Sequence, residues 1–509
     1  MITHVRHQSA VRWARLAPIN RAATITPRVV AAALVAGLGV LALVGSALVA
    51  GLRPEEIAPP TLAVLLAIAV ALIIKRVVPA LTTPVLIAAG SVSQALVFFL
   101  IVALGYQTDA TGNPSMPPLI SAPWTASMSM LCVPIGALIG ALLLRMVHRP
   151  LRSGVSTLQL MAANTNKLRV CYIAVSALML LSWGATSPGL DAINYVVRVL
   201  SNLVSPFAFL AGMVAWSNRA IRRVWIAALA ASCVLAVLTG SRSPAFIPAA
   251  LFVLGYFVTV FPLQPVRAAT LAIGTGFVLA TLSGAVAIAR DDIGRGTAET
   301  INVDRVRLMI PIFSTAVAST SVLRTDGSRS GVLQGALDRM FVWPNAAAAV
   351  MSPELKPYRQ FDGFQDEIRA YSTVAYLAGL TPDDFFDANL GATPANDYGF
   401  SSNVQNGIEW GVLADGWSRA GPIGAVLFGV VLTIFLASAE LLSRWCLAWA
   451  GPLSLLVFAV SLEGAIGAQT YSMLAIIRAM LLQGALLFAI VVLTGVPRLA
   501  AYLRQGRSL

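Results

Sequence analysis

Arg242 lies in the segment Leu238-Thr239-Gly240-Ser241-Arg242-Ser243-Pro244, between two apolar runs. An arginine at such a junction, among small residues and beside the N-terminus of the next helix, is suited to binding an anion. Its guanidinium forks onto phosphate oxygens, and the helix dipole adds positive potential. The alternative is an arginine that snorkels to lipid headgroups. Arg290 directly follows another apolar run and could face the same cavity. Arg198 lies just before a third run, with Asp191 seven residues earlier, so a local surface pair stays open for it. Glu463 and Arg478 sit toward the facing ends of the last two apolar runs. A carboxylate inside a membrane span is costly and is usually functional or paired. These two are therefore either working residues or an ion pair across a helical hairpin.

The elements that must position these groups are membrane helices. The 509 residues are 58% hydrophobic and 11% charged, with a mean hydropathy of +0.80. Soluble domains carry about 25% charged residues, so the expected fold class is an all-α polytopic membrane protein. Apolar runs lie at 29–52, 58–74, 82–105, 126–146, 169–186, 200–217, 224–240, 244–262, 268–289, 421–440, 447–467 and 475–496. That makes twelve candidate spans, each near the roughly 20 residues a spanning helix requires. The division inside 224–262 rests only on Gly240-Ser241-Arg242-Ser243.

Basic residues orient the chain. With the N-terminus inside, Lys75, Arg76, Arg145, Arg219, Arg222, Arg223, Arg267, Arg444 and the basic residues of both tails fall on the cytoplasmic side. Apart from the long hydrophilic stretch, only Arg53, Arg198, Arg242 and Arg478 fall outside. This asymmetry follows the positive-inside rule. It also accounts for the net charge of +13 without nucleic-acid binding, since the basic residues are spread between spans. The four cysteines lie in or beside apolar runs and lack metal-type spacing, so neither disulfides nor a zinc site is expected. Glu440 and Arg444, four residues apart, read as a structural pair, and Gly136 and Gly140 as a small-residue packing face.

One stretch breaks the apolar pattern. Residues 290–420 hold 11 of the chain's 35 Lys+Arg and 16 of its 22 Asp+Glu, and are net acidic where the remainder is basic. They contain no run able to span a bilayer, yet they carry many aromatics, which a disordered linker would lack. The expected organisation is a basic cytoplasmic segment at 1–28, spans one to nine within 29–289, an external folded domain at 290–420, spans ten to twelve within 421–496, and a cytoplasmic tail at 497–509.

Twelve spans, a Gly-Ser-Arg-Ser turn at an outer helix junction and a large external loop between spans nine and ten resemble the Wzy-type polysaccharide polymerases, which share this plan with the O-antigen ligases. Gly411-Val412-Leu413-Ala414-Asp415-Gly416-Trp417-Ser418-Arg419-Ala420-Gly421-Pro422-Ile423-Gly424 also looks like that family's segment entering the span after the loop. Asp415, Trp417, Gly421 and Gly424 stand at its acidic, aromatic and Gly-x-x-Gly positions. The ligases resembled place a His in the external loop. Here the three histidines are His4, His7 and His148, none of them in the loop, which favours a polymerase.

The resemblance implies sugar transfer from a polyprenyl-diphosphate carrier at the outer face of the bacterial inner membrane. A hydroxyl of one glycan attacks the anomeric carbon of a lipid-linked glycan, and the diphosphate leaves as a stable anion. Cations must then hold the diphosphate, and a carboxylate can accept the hydroxyl proton. Arg242, Arg198, Arg290 and Arg478 are the expected diphosphate-binding residues. Asp415 is the first choice for the carboxylate and Glu463 the second, while Trp417 faces a sugar ring or the lipid interface. A helix continuing upward from span ten would carry Asp415 above the membrane surface; a helix N-cap is the plainer role for it. The chain has no Asp-x-Asp triplet, and no metal or other cofactor is expected. Membrane lipid, a flippase and a chain-length regulator are the implied partners, and nucleic acid is not. A ligase, another lipid-carrier glycosyltransferase of the GT-C type and a twelve-span transporter or flippase remain alternatives. For the GT-C type, Glu55-Glu56 would be the relevant acids, in a first loop much shorter than that class usually has.

Overall fold

The computed structural model describes residues 54–79, 81–91, 123–147, 203–216, 218–239, 243–260, 411–450, 454–469 and 472–481, with scattered residues within 173–180, 264–282 and 483–488 and single residues at 307 and 311. The described residues are helical, with no strand among them. In chain order the helices are α1 (Pro54–Val77), α2 (Pro123–Ser129), α3 (Cys132–Val147), α4 (Val204–Ala215), α5 (Arg219–Thr239), α6 (Ser243–Val260), α7 (Gly411–Ala450) and α8 (Leu455–Gly467). Further helical residues lie at 83–91 and 473–481.

Three stretches are long and apolar enough to cross a membrane: Ile57–Val77, Ser127–Met146 and Gly411–Cys446. Shorter apolar helices cover Val204–Ala215, Ala245–Phe257 and Leu456–Gly467. The protein is thus a helical membrane protein. The division expected within 224–262 is present: α5 ends at Thr239 and α6 begins at Ser243. The expected span at 29–52, most of 169–186 and of 268–289, and the rest of the 82–105 run lie outside the described residues, as does nearly all of the hydrophilic stretch up to residue 410.

The helices approach closely through glycine. A Cβ on Gly136 of α3 would run into the Val426 carbonyl oxygen of α7 and lie 2.9 Å from Gly429 Cα. One turn on, Gly140 faces Thr433. Gly136 and Gly140 therefore form the expected packing face, and the pairings rise together along both chains, so α3 runs parallel to α7. Gly212 of α4 and Gly255 of α6 make a similar crossing, each against the other helix's backbone. Between them the core holds Phe209, Leu210 and Trp225, all fully buried, with Trp225 stacked on Phe252.

The ends agree with the charge pattern. Lys75 in the last turn of α1 lies within electrostatic reach of Glu440 and Arg444 near the C-terminal end of α7. Arg145 closes α3, and the parallel packing places it toward the same end. Three of the basic residues assigned to one side of the membrane by sequence, Lys75, Arg145 and Arg444, thus gather at one end of the bundle.

Candidate functional site

The segment from Gly411 into α7 does not continue upward from the span. At Ala420 (φ −147°, ψ 30°) and Gly421 (φ 61°, ψ −146°) the backbone leaves the helical region and reverses. The Gly421 conformation belongs to a region that residues with a Cβ essentially avoid. Pro422 follows, suited to the first turn of the long arm and hostile to helical geometry in the residue before it. In a straight helix, Gly416 and Gly424 would stand about 12 Å apart along the axis. Here a Cβ on Gly424 would collide with the Gly416 carbonyl oxygen. The short arm, residues 411–419, is folded back against the first turns of the long arm, residues 422–450. The helix expected to continue straight upward from span ten through Asp415 is therefore corrected: it breaks at Ala420-Gly421. The sequence places a helix start at Gly421-Pro422 but does not carry the direction in which the preceding helix leaves it.

Every residue of the short arm is buried. Its start is tied to the end of α8: Val412 N–H donates to the Ala468 carbonyl at 3.0 Å, and Gly411, at φ 76°, lies against the Gln469 carbonyl. Asp415 Oδ2 accepts the Met473 N–H at 3.0 Å, at the start of the helix at 473–481. Its Oδ1 accepts from Arg419 Nε at 3.2 Å, and both side chains are under a tenth exposed. The Arg419 guanidinium also lies 6.0 Å from the Phe428 ring centroid on the long arm. The helix it caps has an N-cap of its own: Ser472 Oγ accepts the Ala475 N–H at 3.4 Å. Asp415 thus caps a helix, as an aspartate commonly does, but one 58 residues further along the chain rather than its own.

Trp417 packs in the same apolar core as Val412, Leu413 and Ala425. It is 8% exposed. Arg419, given no role from the sequence, is the residue missed. Its spacing of four from Asp415 was the available signal.

Glu463 lies elsewhere. It is on α8, and its carboxylate is hydrogen-bonded by Gln483 and Ser205, while Oε2 is enclosed and has no hydrogen-bond partner. From Met473, bonded to Asp415, to Gln483 is ten residues of one helix, about 15 Å of rise. Asp415 and Glu463 therefore do not share a site, and the partners of Glu463 are Gln483 and Ser205 rather than Arg478. Arg478 is half-buried on the helix between those levels. Ser205, in the first turn of α4, had no sequence signal linking it to Glu463.

Arg242, Arg198 and Arg290 lie outside the described residues. The helices on either side of Arg242 in the sequence are described, α5 ending at Thr239 and α6 beginning at Ser243. No group of three or more His, Cys, Asp or Glu side chains among the described residues could hold a metal ion.

Comparison of the chain with protein-family models, with characterised proteins and with solved structures finds no match in any of the three.

Proposed function

We propose that this protein is a polysaccharide polymerase that joins oligosaccharide repeat units carried on polyprenyl diphosphate. On this reading it is a twelve-span protein of the bacterial inner membrane, with both termini cytoplasmic and residues 290–420 external. The observation that supports it most is the reversal at Ala420-Gly421. The segment on which the resemblance rests is a built element, folded back and buried at the junction between the hydrophilic stretch and a span.

In this scheme a glycan hydroxyl forms the new bond to the anomeric carbon as the bond to the carrier phosphate oxygen breaks, and the hydroxyl proton passes to a carboxylate or to water. The diphosphate departs as an anion and needs no proton. The demand on the protein is therefore positive charge fixed at the outer face. Arg242 is the principal residue for it, with Arg198, Arg290 and Arg478 in support. Asp415 has both oxygens engaged, by Arg419 and by the Met473 N–H. We assign it the positioning of the short arm and the last helix, with proton acceptance as the competing role.

The test is polymer formation from purified protein and lipid-linked repeat units. Arg242→Lys keeps the charge but loses the fork, and chain growth should fall sharply at unchanged protein level. Normal polymer from Arg242→Ala would sink the proposal. One observation favours a second reading, a transporter of lipid-linked glycans: Glu463 lies within the bundle, and ionisable residues there commonly mark transport paths. Movement of the lipid-linked unit across vesicles without chain growth would select it.

A further inference from the structure

Glu463 is the one carboxylate in the described bundle whose surroundings leave part of it unanswered. Three elements meet at it: α8, which carries it, α4 through Ser205, and the last helix through Gln483. Both partners are neutral, and each can donate or accept a hydrogen bond. Oε2 is enclosed and bonded to nothing.

Among the described residues, the hydrogen-bond partners of Glu463 are the neutral Gln483 and Ser205, and none is a charged group. α4 carries no charged residue. On α7 the charged groups are Asp415 and Arg419 in the short arm and Glu440 and Arg444 toward the other end, and each is committed to a bond of its own. The last helix carries Arg478, five residues before Gln483. No second carboxylate, histidine or cysteine joins Glu463 to make a metal site among the described residues. The two ion-paired carboxylates, Asp415 and Glu440, show how this fold treats an anion it intends to keep: an arginine one turn away and the N–H groups of a helix start. Glu463 has neither.

We propose that Glu463, Ser205 and Gln483 form a proton-binding site inside the bundle, in which the Glu463 carboxyl is held as the neutral acid. An isolated anion in a medium of low polarity is penalised heavily, and a carboxyl so placed neutralises instead. The reaction is proton uptake alone: carboxylate plus proton gives the acid, with no redox partner. Hydroxyl and amide can reverse their roles as donor and acceptor, so the same two partners serve both states. Because the three groups come from three helices, losing the proton would place an unpaired anion where α4, α8 and the last helix meet. The inference does not depend on the polymerase reading.

The test is infrared difference spectroscopy of the purified full chain in detergent, wild type against Glu463→Gln, at neutral pH. The expected result is a protonated-carboxyl C=O band that is present in the wild type and absent from the variant. Ser205→Ala and Gln483→Leu should each move that band to higher frequency, since each removes a hydrogen bond from the carboxyl. A carboxylate band in its place, or an acid band that survives Glu463→Gln, overturns the proposal. So does an acid band unmoved by both partner variants, because it would belong to a carboxyl outside this cluster. A fluorescent lipophilic carbodiimide supplies a second measurement on the unmodified sequence. It should label Glu463 and spare the ion-paired Asp415 and Glu440. Equal labelling of all three would count against the site.

Discussion

The two ends of α7 solve one problem in the same way. At one end Asp415 accepts the Met473 N–H and an arginine four residues on. At the other, Glu440 accepts Thr82 N–H, Thr83 N–H and the Thr83 hydroxyl, all at 2.9 Å, and again an arginine four residues on. Each carboxylate caps a helix remote in sequence, and each ties it to α7. The shared pattern means that Asp415's bonds are not by themselves a sign of catalysis, because Glu440 has the same pattern at the opposite end. What differs is the arginine. The Arg419 side chain is 2% exposed, whereas that of Arg444 is 33% exposed. A buried arginine depends on its partner; a partly exposed one has water to fall back on.

The largest expected effect tests that difference directly. Arg419→Ala leaves a buried carboxylate without its charge partner, a loss of about 3–5 kcal/mol. Arg444→Ala removes a partly exposed partner from a carboxylate that keeps three other donors, and should cost below about 1 kcal/mol. Thermal unfolding in detergent measures both, and equal losses would erase the contrast between the two ends.

Next in size is Gly421→Ala. The reversal exists only at the Asp415 end, and it needs a backbone conformation that alanine resists, at a cost of about 1–3 kcal/mol. If that variant melts with the wild type, Gly421 is not held in this conformation and the short arm is not folded back as described.

The smallest effect is expected from Asp415→Asn combined with Arg419→Gln. The amide oxygen can still accept the Met473 N–H, and no buried charge is stranded, so stability should stay within about 1 kcal/mol of wild type. Polymer assays on that variant separate the two roles of Asp415. Retained chain growth fits positioning. Folded protein that binds the lipid-linked unit but adds no sugars would make the carboxylate part of the chemistry.

Much of the fold was readable because the bilayer imposes simple demands. Among the described residues several of the apolar runs are helices, and the division read at Gly240-Ser241-Arg242-Ser243 falls between the end of α5 at Thr239 and the start of α6 at Ser243. The Glu440–Arg444 pair and the Gly136–Gly140 face were legible because spacings of four along a helix are local geometry. Gly421 and Pro422 marked the start of the long arm for the same reason.

What the tertiary structure alone decided is everything that depends on two segments meeting. The direction of the short arm follows from one pair of backbone angles and from Gly416 fitting against Gly424, which no local pattern encodes. The cap on the last helix comes from Asp415, and the cap on the helix at 83–91 from Glu440, 357 residues away. The partners of Glu463 come from two other helices, so its role could be posed from the sequence as an acid in a span but not resolved. Periodicity reports which face of a helix is apolar. It carries no information about which polar group on another helix will meet the exception on that face.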